Sequence, residues 1–89
     1  MNDREEILIR AGELITGDRE KTHGSPAKNF DYAARLWSVI LQRPIEPFQV
    51  ALCLDALKTA RIVSNPHHED NWVDKAGYTA LAWELVSNK

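Results

Sequence analysis

Three aspartates, Asp55, Asp70 and Asp74, are the side chains of this sequence best suited to chemistry. Asp70 and Asp74 stand about one helical turn apart. Asp55 belongs to the preceding apolar run, so a short connection between two helices can bring all three to a shared end. Carboxylates so placed suit a hard divalent cation, because Mg²⁺ takes oxygen ligands and usually needs only one or two carboxylates beside waters and substrate phosphates. Lys58 and Arg61 follow Asp55 at steps of three and draw a charged stripe along an otherwise apolar helix. Two readings of that stripe stand side by side. It is a solvated face with a local Asp55–Lys58 pair, or it is the wall of a cleft in which the aspartates hold metal and the cations neutralise phosphate.

A second group of candidates lies in the polar stretch 17–25, GDREKTHGS, which carries Arg19, Lys21 and His23 in alternation beside two glycines. With the N-terminus of a helix at Ser25, it offers an anion both positive side chains and free backbone N–H groups. It matches neither the P-loop nor the dinucleotide fingerprint, and the alternative is an exposed linker. His67 and His68 precede Glu69 and Asp70, but adjacent histidines point apart. They read as loop hydrogen bonders or ligand contacts rather than as a transition-metal pair. With Asn71 and Tyr78, the expected ligand-binding set is Arg19, Lys21, His23, Lys58, Arg61, His68, Asn71 and Tyr78, and the expected metal set is Asp55, Asp70 and Asp74. Cys53, among apolar residues in mid-helix, reads as an inert core thiol.

Four helices must position these groups. From Asn2 to Thr16 the residues Ile7, Leu8, Ala11, Leu14 and Ile15 form one helical stripe, with acids in its first turn and Gly17 as its stop. Ser25 and Pro26 open a second helix that carries Phe30, Ala33, Ala34, Trp37, Ile40 and Leu41 and closes before Arg43 and Pro44. Pro47 opens a third, apolar round most of its circumference and therefore expected at the centre, ending at Ser64, Asn65 and Pro66. A fourth starts at Asp70 or Asn71 as cap. It places Asp74 on the stripe of Tyr78, Leu81 and Leu85, so Asp74 should be partly buried and bonded to Lys58, Arg61 or Tyr78. Trp72, Ala76, Ala80 and Trp83 give the same helix a second apolar face.

With 89 residues the chain builds one core, and residues 1–89 read as a single all-α domain, a small four-helix bundle. Hydrophobic residues at 44% and charged residues at 27% are those of a folded globule. So small a core, with the second apolar face of the last helix, predicts completion by homo-oligomerisation. A net charge of −2 supplies no basic field for phosphate backbones and argues against a DNA-coating role. One cysteine and three histidines do not supply a structural zinc pattern. No apolar run of about 20 residues suggests a membrane partner, and nothing at the N-terminus resembles a secretion signal, so the expected place is the cytoplasm.

The chain resembles a family of small helical proteins encoded in bacteriophage and prophage genomes. The residues that carry the resemblance are Gly17-Asp18-Arg19, His23-Gly24, Asn29-Phe30, Ala34, Leu36-Trp37, Lys58, Ala60-Arg61, His68, Asp70-Asn71-Trp72, Asp74, Ala76-Gly77-Tyr78 and Ala80. They span almost the whole sequence and imply a phage or prophage origin. A looser similarity is to the all-α nucleoside triphosphate pyrophosphohydrolases of the MazG and dimeric dUTPase type, which hold Mg²⁺ with an ExxE and an ExxD helix. Here no ExxE is present, and Asp70-x-x-x-Asp74 is not ExxD. The resulting expectation is an accessory protein that binds a nucleotide or other phosphorylated ligand, with Mg²⁺-dependent pyrophosphate hydrolysis as its catalytic form. The alternative is an interaction protein for a host or phage partner, or a nucleotide sponge.

Overall fold

A computed structural model describes residues 1–16 and 24–87. Within them the chain forms α1 (Asp3–Leu14), α2 (Pro26–Leu41), α3 (Pro47–Ser64) and α4 (Glu69–Ser87), and no strand. The all-α class and the four helices agree with the sequence reading. The basic loop residues Arg19, Lys21 and His23, and the expected stop at Gly17, lie outside the described residues.

Each boundary has a local cause. The Asn2 side chain accepts the Glu5 N–H at 2.9 Å and caps α1, with Asp3, Glu5 and Glu6 in the first turn opposing the helix dipole. Pro26 stands at the start of α2, where its missing N–H costs nothing. Ser25 occupies the cap position without a side-chain bond. Gln42 ends α2 in the left-handed region at φ 56°. The turn after it is fastened by Ser38, whose hydroxyl donates to the Ala34 carbonyl at 2.7 Å and accepts the Ile45 N–H at 2.9 Å. Glu46 caps α3, its N–H donating to the Gln49 side-chain oxygen at 2.7 Å. At the last connection the structure corrects the expected start: α4 begins at Glu69, so Asp70 and Asn71 sit inside its first turn and not at its cap.

The short connection 65–68 folds α3 and α4 into an antiparallel pair at the centre. α1 packs on α4, and α2 packs on α3. Val50 and Ala51 of α3 are fully enclosed by Phe30 and Ala34 of α2 and Ala82 of α4, with Trp37, Leu54, Tyr78, Leu81 and Leu85 around them. Burying Phe30 alone contributes about 1.5–3 kcal/mol. Ala11 and Val73 are buried where α1 and α4 meet, and the backbone of Gly77 lets α1 come close, since a Cβ there would stand 3.1 Å from the Ile15 Cγ2.

The small side chains of this core leave much apolar surface uncovered. α3 is central, as expected, but it is not enclosed: Leu52, Leu57 and Val63 are exposed. Cys53 is exposed as well and is not the core thiol its apolar neighbours suggest. The reason is that, among the described residues, α3 packs mainly on two helices, α2 and α4, which leave part of its circumference open.

Candidate functional site

The charged side chains of the central pair sort into three junctions between helices. Asp55 of α3 is only 7% exposed and accepts hydrogen bonds from the Lys75 ammonium and the Thr79 hydroxyl of α4. Burial pushes its carboxyl up, but the two hydrogen bonds and the Lys75 charge together outweigh that and hold it below the usual range. One turn further along α3, Lys58 pairs with Asp74 at 3.0 Å. At the outer flank, Arg10 of α1 bridges Glu69 at 2.9 Å and Asp70 at 3.1 Å, and Glu69 first, then Asp70, raises its pKa.

This arrangement decides several sequence expectations. Asp74 is half-buried and bonded to Lys58, one of its three expected partners. The local Asp55–Lys58 pair does not form, because Asp55 reaches across to Lys75 and Lys58 reaches across to Asp74. Nor do Asp55, Asp70 and Asp74 converge: each is engaged by a different cation, at three separate junctions. Among the described residues no three His, Cys, Asp or Glu side chains stand together as a metal site would need. The single cleft expected from Asp55, Lys58, Arg61, Asp70 and Asp74 is therefore divided.

Three smaller groupings survive, the first being Asp70 and Asp74, which line one open depression beside Arg10 and Glu13. Arg61, His68 and Asn71 line one shallow, open depression with Ser64 and Asn65, where α3 ends and α4 begins. Arg61 has no ion-pair partner among the described residues, while Asn71 is buried. Asp74 and Tyr78 instead face a cleft of about 230 Å³ walled by Phe30, Leu54 and Leu81, with the end of α1 at its rim. The groups that sequence reasoning missed are Lys75, Thr79 and Arg10. A signal for Lys75 was available, since Asn71, Lys75, Tyr78 and Ala82 follow one another at steps of four, three and four along the face that meets α3.

The Asp55–Thr79 bond marks the seam of the central pair. Beside it, Leu52, Ala56, Thr59 and Val63 form one helical stripe on α3, and Trp72, Ala76, Thr79, Trp83 and Val86 form another on the antiparallel α4. Val63 is 79% and Trp83 69% exposed, and Trp72 keeps its ring in place by donating its indole N–H to the Pro66 carbonyl at 2.9 Å. Apart from Thr59 and Thr79, the side chains of both stripes are apolar.

Residues 6–86 match the family model described as a domain of unknown function, DUF6378. The chain belongs to that family. It is similar to the Gene 55 protein of Mycobacterium phage D29, at 39% identity over 74 residues that cover 83% of this chain and 49% of that protein. It is also similar to the Gene 55 protein of Mycobacterium phage L5, at 38% identity over 77 residues, 84% of this chain and 49% of that protein. The chain thus spans about half the length of these phage relatives. No solved structure matches it. These relatives agree with the phage resemblance drawn from the motifs. Among the described residues, no helix is long and apolar enough to cross a membrane.

Proposed function

We propose that this member of the DUF6378 family is a phage accessory protein that works by protein association, and that it self-associates through the open α3–α4 face. The observation that carries this reading is the exposure of Leu52, Val63, Trp72, Trp83 and Val86 along one side of the central helix pair. Exposed apolar surface of this kind marks an interaction site, and tryptophans are usual anchors. Two copies of the face laid together make a four-helix core from two α3–α4 pairs, which supplies the burial that one copy lacks. The assembled form then presents its remaining surface to a host or phage protein. Sedimentation from about 1 to 100 µM tests it. At about 0.5 M salt, where ionic contacts are screened, the parent should be a dimer and Trp83→Lys a monomer with unchanged helicity. A parent that stays monomeric at about 100 µM removes the self-association reading.

A second reading, a nucleotide or other phosphorylated ligand, rests on the depression that gathers Arg61, His68 and Asn71. Mg²⁺ does not fit the three aspartates as placed, since each already holds a cation of the chain itself. A MazG-like hydrolase would require Asp70 to leave Arg10 and Asp74 to leave Lys58. Thermal shift with a nucleotide panel, with and without Mg²⁺, tests this reading, since a ligand of the folded state raises the melting temperature. Any shift should vanish in Arg61→Ala.

A further inference from the structure

Two other helix faces are left uncovered, and their chemistry is complementary. The outer side of α2 carries Tyr32, Leu36, Val39 and Ile40, all more than 60% exposed, at the spacing of one helical stripe. Lys28, Arg35 and Arg43 flank that stripe and are exposed. The acid beside them is Asp31, which Arg35 holds at 3.1 Å. The outer side of α1 has the opposite character. Leu8 and Ile9 are exposed there between Glu5, Glu6 and Glu13, with Arg4 as its exposed cation, while Arg10 is committed to α4.

The spacings also correspond. Glu5 and Glu13 are eight positions apart on α1 with Leu8 and Ile9 between them, and on α2 Arg35 stands four and five positions before Val39 and Ile40, with Arg43 in the turn just past the helix end. The eight positions from Glu5 to Glu13 are about 12 Å along α1. Set antiparallel, α1 and α2 would bring Glu13 to Arg35, Ile9 to Val39 and Leu8 to Ile40, with Glu5 left at the turn that carries Arg43. Among the described residues these two faces do not meet within one chain, since α1 packs on α4 and α2 on α3 and both stripes are exposed.

We infer that the occupant of the α2 outer face is α1 of a second copy of this chain, docked antiparallel with its acids on the α2 cations. Such a contact is heterologous: every copy offers one α1 face and one α2 face, so copies join head to tail into a ring or an open filament. It uses a surface separate from the open α3–α4 face, and the two contacts together would link dimers into larger assemblies. The ionic part is exposed and should weaken with salt.

Charge reversal on each face tests this. The variants are Glu5→Lys/Glu13→Lys and Arg35→Glu/Arg43→Glu, each checked for parental helicity. In sedimentation at about 50 mM salt and about 100 µM protein, the parent should form species larger than a dimer that shrink at about 0.5 M salt. Each variant alone should stop at the dimer. An equimolar mixture should restore the large species, because the reversed α1 of one variant meets the reversed α2 of the other. Leu36→Ser probes the apolar half without changing charge and should also stop assembly. In a Trp83→Lys background, which removes only the α3–α4 contact, head-to-tail association should persist. A parent that never exceeds the dimer at low salt, or variants that neither lose assembly alone nor regain it when mixed, overturns the inference. A parent unaffected by Trp83→Lys would count against the α3–α4 dimer alone.

Discussion

Asp55→Ala should destabilise the fold by about 2–3 kcal/mol at neutral pH. The carboxylate is nearly enclosed and takes hydrogen bonds from Lys75 and Thr79. Breaking a buried pair costs about 3–5 kcal/mol when the remaining charge is trapped, and a hydrogen bond to a charged group is worth about 1.5–3 kcal/mol. Here neither partner is stranded. The Lys75 side chain is 39% exposed and can turn to water, and the Thr79 hydroxyl keeps the Lys75 carbonyl as an acceptor at 3.0 Å. The expected loss therefore falls below the trapped-charge range. In a domain of this size it should lower the melting temperature by roughly 10–20 °C. Because the folded carboxyl is held below its ordinary range, its contribution is fully present above the unfolded pKa and is lost as pH falls through the folded one. Urea unfolding followed by tryptophan fluorescence should thus show a wide gap between parent and variant at pH 7 that closes below about pH 4. Equal midpoints at pH 7, or a gap that persists undiminished in acid, would refute the reasoning.

Gly77→Ala should stay within about 0.5 kcal/mol of the parent, because roughly 1 kcal/mol of helix propensity offsets the small shift demanded of the half-buried Ile15. Gly77→Leu should cost more than about 2 kcal/mol by pushing α1 off α4, read in the same urea assay. Gln42→Gly should raise the melting temperature by a few degrees, since it relieves a left-handed residue at the end of α2 at a gain of about 0.5–1 kcal/mol. Cys53 should react with a thiol reagent in the native protein at close to the rate of the unfolded chain, because it is exposed.

Much of the architecture is legible from local chemistry. Pro26 and Pro47 open helices where they stand, and Arg43 and Pro44 close α2 because the pre-proline residue cannot remain helical. Asp74 is legible too: an acid on the stripe of Tyr78, Leu81 and Leu85 has to be paired, and Lys58 pairs with it. What the sequence does not display is partner choice across a seam. Asp55 and Lys58 look like a local pair because a step of three is visible in one helix, whereas Lys75 and Thr79 come from another helix in a register set by the turn at residues 65–68. The same blindness misplaces Asp70, whose partner Arg10 is 60 residues away. Cys53 and Val63 fail for a different reason, since an apolar circumference does not say how many neighbours there are to cover it.

The three ionic junctions all involve α4, and none involves α2. Among the described residues the charged side chains of α2 reach no other helix, and that element is held to α3 by packing round Phe30 and Ala34 and by the Ser38 turn. The two flanks of the molecule therefore answer to different solvents. Acid or high salt loosens α1 through Arg10 and leaves α2 seated, while a denaturant that solvates apolar groups releases α2. Native-state hydrogen exchange would then read two separate opening units, whose order of release depends on the solvent chosen.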